Sequence, residues 1–382
     1  MSGKIGVNCP ECGCPTRYAH TRDKSRWSKC VCHHPHGDRD AFYLMPKRVL
    51  LTGAGGFVGS HTLVHFLHNT DWELVLTDSF RHKGKTDRIT AMVYASHPEF
   101  ADRVEVVTHD LTVPFSEQLV DRMGHIDYVV NMASESHVDR SIEDPRPFVE
   151  NNVALMLTVL EYIRKNPVEK FIQISTDEVY GPAPERHDFK EGEPHKPSNP
   201  YSASKSAQEM ICYAYWRTYH LPIIRTNTMN IIGELQDAEK FVPKTIKAVL
   251  NDESVSVHAS PEGKIGSRFY LHARNQADAL MWILENVDPP KYEGPESEMA
   301  HYHVVGEREV TNLEIAELVA KFADKKLRYH LEDFHSSRPG HDLRYALDGS
   351  KLRHAGWKPP KSFEDSLKET VEWTLEHPEW LL

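Results

Sequence analysis

Apolar and polar positions along the chain alternate between two patterns. Short apolar runs at Lys47–Thr52, Glu73–Thr77, Val104–Thr108, Tyr128–Asn131 and Phe171–Ser175 have the length of strands. Between them lie stretches with apolar residues at helical spacing. Ser60–His68 carries Leu63, Phe66 and Leu67, and a second stretch runs from Pro147 to Lys165. Strands alternating with helices predict an α/β body with a doubly wound parallel sheet and its ligand at the C-terminal edge of the strands. No apolar run approaches the roughly 20 residues that a membrane helix needs. The N-terminus MSGKIGVNCPECG has no apolar core of the kind a signal peptide carries, so a cytoplasmic chain is expected.

The first strand runs into Gly53-Ala-Gly-Gly56-Phe-Val-Gly59, and the first helical stretch follows at once. Strand, glycine turn and helix let a backbone approach a pyrophosphate whose charge sits at the helix N-terminus. The second strand ends at Asp78, about 20 residues beyond the glycines, where a carboxylate accepts hydrogen bonds from adenosine ribose hydroxyls. That carboxylate repels a 2′-phosphate, so NAD is expected rather than NADP. Arg81, Lys83 and Lys85 follow closely and pull the other way.

Composition bounds the whole and then divides it. The 382 residues are 40% hydrophobic and 26% charged, which excludes a disordered chain. A net charge of -11 makes duplex nucleic acid a poor partner. Five of the six cysteines lie in the first 32 residues. Residues 1–46 carry a net +3, leaving about -14 on the rest, so a boundary is expected near 46. Without a secretion signal, clustered cysteines point to metal rather than disulfides. Cys9-Pro-Glu-Cys12-Gly has the form of a zinc knuckle, and Cys30-Val-Cys32-His33 follows at a suitable distance. A structural zinc ribbon is expected, held by Cys9, Cys12, Cys30 and either Cys32 or His33.

Two segments carry the chemistry. Tyr201-Ser-Ala-Ser-Lys205 places a phenol and an ammonium one helical turn apart. The ammonium is expected to lower the phenol pKa, so that Tyr201 can take a proton from a sugar or alcohol hydroxyl as hydride leaves for the nicotinamide. Ser175-Thr-Asp-Glu178 puts a hydroxyl and two acids just past a strand end. One acid can protonate a leaving group while the other removes a carbon-bound proton, provided their environments push the two pKa values apart.

From residue 47 onward the chain resembles the extended short-chain dehydrogenase/reductases, and within them the dTDP-glucose 4,6-dehydratases. The resemblance rests on Thr52-Gly-Ala-Gly-Gly-Phe-Val-Gly-Ser60, Glu135-Ser-His-Val-Asp-Arg-Ser-Ile142, Ser175-Thr-Asp-Glu-Val-Tyr-Gly181 and Pro200-Tyr-Ser-Ala-Ser-Lys205. Arg338-Pro-Gly-His-Asp-Leu-Arg-Tyr-Ala346 and Gly356-Trp-Lys-Pro359 extend it. It implies a Rossmann-type domain at 47–225 and a smaller α/β domain at 226–382, mainly for substrate, with some segments returning to the sheet. It also implies a redox-neutral cycle on tightly bound NAD. In it Tyr201 takes the 4-hydroxyl proton, Lys205 assists and holds the ribose, and Thr176 binds the 4-oxygen. Glu178 removes the C5 proton and Asp177 protonates the departing 6-hydroxyl.

Cofactor contacts transfer to Gly53, Gly56, Phe57, Val58, Gly59, Asp78, Asp110, Leu111, Ala133 and Asn151, besides Tyr201 and Lys205. Substrate contacts transfer to Glu135, Ser136, Thr176, Asn230, Lys240, Arg268, Arg344 and Tyr345. Lys240 and Arg268 are the diphosphate candidates. Departures gather around the nucleotide base: His258 stands where the family has Tyr, His303 where it has Asn, and Ile232-Gly-Glu234 where it has Tyr-Gly-Pro. The implied partner is a nucleoside-diphosphate sugar, dTDP-glucose first, and the implied assembly is a homodimer through helices near 147–165 and 203–219. A 4-epimerase would need no paired acids, and a UDP-glucuronate decarboxylase would not need Asp177. A reading from another class is a non-catalytic NAD-binding scaffold with a zinc recruitment module.

Overall fold

The computed structural model describes residues 46–81, 83–333 and 342–382, and the backbone of four strands before them. Those strands, Ile5–Asn8, Pro15–Tyr18, Trp27–Lys29 and Phe42–Leu44, pair antiparallel in chain order. The expected metal ligands Cys9, Cys12, Cys30, Cys32 and His33 lie outside the described residues, as does Arg338. The chain divides into two compact units, Met1–Lys47 and Arg48–Leu382.

The second unit is built on seven parallel strands: β1 (Arg48–Thr52), β2 (Glu73–Asp78), β3 (Val104–Thr108), β4 (Tyr128–Asn131), β5 (Lys170–Thr176), β6 (Ile223–Thr228) and β7 (Ala300–Val304). Their order is β3-β2-β1-β4-β5-β6-β7. The chain winds outward from β1 in both directions, so the crevice at the strand ends opens between β1 and β4.

Both faces of the sheet are covered, and this explains why its strands read as continuous apolar runs. Val49, Leu51, Leu74 and Leu76 point to one face, where they meet Leu63, Phe66 and Leu67 of α1 (Phe57–Asn69). Leu50, Val75, Val129 and Phe171 point to the other. There they meet Leu155, Met156 and Val159 of α2 (Pro145–Lys165), and Cys212 and Trp216 of α3 (Pro200–Tyr219).

After β6 the chain builds a second apolar core, in which Val242 and Ile246 of α4 (Phe241–Leu250) pack with Val255, Val257, Ile315 and Leu367. Helix α5 (Ala273–Asn286) then returns the chain to the first face through Leu280 and Ile283, and β7 joins the sheet beside β6. Among the described residues no helix is long and apolar enough to cross a membrane.

Candidate active site

A cavity of about 380 Å³ opens at the C-terminal ends of the strands. The turn after β1 forms its floor by bringing backbone against backbone. Gly53 has φ +68°, and a Cβ there would stand 2.8 Å from the Ala133 nitrogen. A Cβ on Gly59 would run into the Gly53 carbonyl, so α1 can sit on the turn only without one. Helix α1 therefore starts at Phe57, three residues before the apolar spacing signals it, and presents its positive end to the cavity.

At the end of β2, Asp78 accepts from the Gly55 N–H at 3.0 Å and the Phe80 N–H at 2.9 Å, and burial pushes its carboxyl pKa up. Burial also works against Asp110, but the Thr112 backbone and hydroxyl, with Arg81 at 2.8 Å, hold that carboxyl below its usual range. The basic residues after Asp78 are thus already engaged. Arg81 pairs with Asp110, Lys83 pairs with Glu239 at 2.8 Å, and Lys85 lies over the Trp380 ring. Leu111, Ala133 and Asn151 complete the cofactor wall, so every residue expected at the cofactor lines this one cavity. The glycine cradle and Asp78 fit NAD.

The Thr-Asp-Glu segment is placed by the abrupt end of β5. The Thr176 hydroxyl accepts from the Glu178 N–H at 3.3 Å and caps a single tight turn, Asp177–Tyr180. This turn directs three consecutive side chains into one wall. Thr176 also donates to Asp177 Oδ1 at 2.9 Å. Asp177 Oδ2 is buried with no hydrogen-bond partner among the described residues. Burial, then the neighbouring Glu178, push the Asp177 pKa up to about 7. Burial raises Glu178 as well, but Asn199, which donates to its Oε2 at 3.1 Å, and the charges of Arg268 and Lys240 pull it back.

Tyr201 sits in the first turn of α3. Asn199 and Ser202 form a reciprocal capping box there, and Pro200 occupies the first helical position. The Tyr201 N–H donates to the Ser141 hydroxyl at 3.2 Å. Its phenol departs from expectation. Burial and the nearby Glu178 push its pKa up, and Lys205 does not offset them. The Lys205 ammonium instead donates to the Ile174 carbonyl at 2.7 Å, and burial lowers its own pKa to about 8. Beneath it, Glu209 is fully buried and accepts from Arg225 at 2.9 Å and from Asn227 at 2.8 Å. Asn227 also donates to the Thr176 carbonyl at 2.9 Å, so one buried network supports the catalytic strand end.

The substrate candidates divide. Glu135, Ser136, Asn230 and Lys240 line the cavity. Asn152 clamps Glu135 through both its N–H (2.8 Å) and its carbonyl (3.0 Å). Lys240 is the N-cap of α4, and burial lowers its pKa although Glu239, Asp237 and Glu178 oppose this.

Arg268, Arg344 and Tyr345 are not among the residues that line this cavity. Arg268 donates to the Ser267, Leu343 and Asp342 carbonyls, each at 2.6 Å, and stacks on the buried Tyr345 ring. It reaches the acids only through its field. Arg344 is consumed by Glu309 at 2.8 Å, Asp188 at 2.7 Å and the Pro184 and His187 carbonyls. It fastens loops and has no free fork for a diphosphate.

Of the departures, His303 is fully buried on the Tyr180 hydroxyl at 2.9 Å, and Glu234 pairs with His272 at 3.2 Å. His258 lines a second cavity of about 710 Å³, next to Glu332 and Lys244. Asn199 was missed at the sequence level. The Asn-Pro-Tyr helix start could have signalled its capping role, though not its bond to Glu178.

Residues 50–370 match the model of the family described as GDP-mannose 4,6 dehydratase. The low-salt glycan biosynthesis protein Agl12 of Haloferax volcanii is 35% identical over 333 residues, covering 86% of this chain and 98% of that protein. A dTDP-glucose 4,6-dehydratase of Neisseria meningitidis is 33% identical over 356 residues, covering 87% and 95%. The crystal structure of the Streptomyces venezuelae dTDP-glucose 4,6-dehydratase DesIV, solved with NAD bound, superimposes with a TM-score of 0.74 at 30% identity, covering 87% and 98% of the two chains.

Proposed function

The chain belongs to the nucleotide-sugar 4,6-dehydratases among the extended short-chain dehydrogenase/reductases, and on that premise we propose dTDP-glucose as its substrate and a role for each residue in the cavity. The enzyme is an NAD-dependent lyase. dTDP is chosen because curated relatives and a structural neighbour carry that substrate in their names.

When bound, NAD supplies a hydride acceptor for the sugar carbon, and its positive ring favours the phenolate form of a nearby tyrosine. Tyr201 takes the 4-hydroxyl proton, and the Thr176 hydroxyl holds the 4-oxygen. The 4-keto group acidifies the neighbouring carbon, whose proton Glu178 removes. Asp177 gives its proton to the departing 6-oxygen, which leaves as water; C6 then takes back the hydride that left C4 while Glu178 returns a proton to C5, so the cycle ends redox-neutral.

The observation that carries this reading is the unlike surroundings of two adjacent acids. Asp177 is buried with an unpaired oxygen and rises to about 7, so it holds a proton near neutrality. Burial raises Glu178 too, but Asn199 donates to its carboxylate and the Lys240 charge favours its ionised form. Two adjacent acids thus stand in unlike surroundings, as a division into acid and base requires. The test is to supply dTDP-glucose carrying deuterium at C4. Label recovered at C6 of a 4-keto product supports the reading, and a product that keeps its 6-hydroxyl sinks it. A parallel screen of UDP-glucose and other donors tests the choice of base.

Three further assignments belong to the same reading. The first is a homodimer through α2 and α3, supported by the exposed apolar side chains Val149 and Leu157 on α2 and Met210 and Tyr213 on α3. Light scattering of wild type and Met210→Glu tests it. The second is a structural zinc held by Cys9, Cys12, Cys30 and Cys32 or His33, supported by their spacing alone and tested by metal content. The third is placement in the cytoplasm, where thiols stay reduced and able to ligate metal, and cell fractionation tests it.

A further inference from the structure

Arg88 is a buried charge that the catalytic account leaves unused. Arg88 lies beyond β2 with only 1% of its side chain exposed. Its Nε donates to the Leu235 carbonyl at 3.1 Å, and its Nη1 donates to the Lys83 carbonyl at 2.7 Å and, less closely, to the Gly55 carbonyl at 3.4 Å. Its Nη2 meets Asp237 at 3.1 Å.

Lys83 and Asp237 line the cavity, and Gly55 and Leu235 stand directly behind or beside lining residues of the glycine turn and of segment 234–240. Gly55 is part of the glycine turn, and its N–H is the one that Asp78 accepts. Leu235 and Asp237 belong to the segment 234–240, which delivers Lys240 into the cavity. Leu235 is buried and held at φ +63°, a left-handed conformation that a leucine adopts only under constraint. The segment is pinned in that form by the guanidinium. Two more exposed pairs, Lys83–Glu239 at 2.8 Å and His137–Glu239 at 3.2 Å, fasten it from the same side.

We propose that Arg88 is a positioning residue that couples the two ligands. Occupancy of the glycine turn strengthens nucleotide-sugar binding through Arg88 and segment 234–240, and a bound nucleotide slows the loss of NAD. The inference rests on the nucleotide-sugar reading above. A guanidinium is a rigid planar fork, so movement of the carbonyls on one side re-aims its donors on the other. Deprived of water, it cannot replace a lost partner with solvent. Coupling between two binding sites is reciprocal by thermodynamic necessity, so it is readable from either ligand. Such coupling suits a cycle in which NAD must stay bound between giving and receiving the hydride.

The test follows NAD release from diluted holoenzyme with and without saturating dTDP or UDP. In the wild type the nucleotide should slow release at least about fivefold, the lower range of site–site coupling. In Arg88→Met the slowing should fall below about twofold, with KM for dTDP-glucose raised by a larger factor than kcat falls. A folded Arg88→Met that keeps the wild-type slowing overturns the inference, as does a wild type with no slowing. If Arg88→Met fails to fold, Asp237→Asn, which leaves the three carbonyl bonds in place, should at least halve the slowing, and an unchanged value overturns the inference. A wild type that turns over no nucleotide-glucose donor and binds neither nucleotide overturns the substrate reading and this inference together. Turnover with unaltered coupling overturns this inference alone.

Discussion

Replacing Asp177 by asparagine should remove activity and make the protein's stability fall less than the wild type's as pH rises through neutrality. The buried carboxyl lies at about 7 against an ordinary 3.8. From about pH 4 to about pH 7 the folded chain therefore keeps a proton that the unfolded chain has released. The folded state binds more protons, so stability falls as pH rises through this window, by about 1.4 kcal/mol per unit. Between pH 5 and pH 8 the wild type should lose about 2.5 kcal/mol through this one group. Asparagine does not titrate, so the variant lacks that loss. It keeps an oxygen for the Thr176 hydroxyl and places an amide where Oδ2 has no partner among the described residues. That change is the same at every pH and cancels in the comparison. Thermal unfolding of both proteins at pH 5 and pH 8, with NAD saturating, should show the variant gaining about 3–4 °C on the wild type between the two conditions. Turnover should fall by a factor of about 10² to 10⁴, the usual contribution of a general acid. Melting curves that shift in parallel at both pH values would refute a buried, protonated Asp177. Full turnover by the variant would refute its role as the acid.

Four other outcomes follow from the same geometry. Glu178→Gln should still oxidise the sugar but not proceed, so a single turnover should leave the nicotinamide reduced; a normal product yield counts against Glu178 as the base. Gly59→Ala forces a Cβ against the Gly53 carbonyl and should release NAD, read as nicotinamide lost on gel filtration. Arg344→Ala should cost about 1–3 kcal/mol of stability by stranding Glu309 and Asp188, while KM changes less than about twofold. A large rise in KM would return Arg344 to the substrate site. In the wild type, kcat should fall above about pH 7 as Asp177 loses the proton it must donate, and a flat profile to pH 9 would contradict this.

The cofactor half was legible in the sequence because local constraints write it there. A strand, a turn that admits no Cβ at Gly53 and Gly59, and an acid at the next strand end are all short-range demands on the chain. That Thr176, Asp177, Glu178, Tyr201 and Lys205 share one cavity was legible for a related reason. They sit at a strand end and a helix start, where backbone geometry alone directs them into the crevice. The substrate side was less legible. A guanidinium looks the same in sequence whether it faces a diphosphate or three carbonyls. Only the path of residues 342–345 shows Arg268 donating to the Leu343 and Asp342 carbonyls and Arg344 held by Asp188.

By itself, then, the sequence determined the parallel α/β body, the glycine turn and which groups meet at the strand ends. The tertiary structure decided their electrical state. Burial, and the neighbours that burial brings, raise Asp177, Glu178 and Tyr201, and the Lys205 ammonium donates to the Ile174 carbonyl. The tertiary structure alone also brings Arg88 to Asp237, since the proposed coupling depends on contacts between residues far apart in the chain. Spacing along a chain fixes which groups share a turn or a strand end. The cost of a charge depends on how much water is excluded around it, and that is settled only when distant segments close over the site.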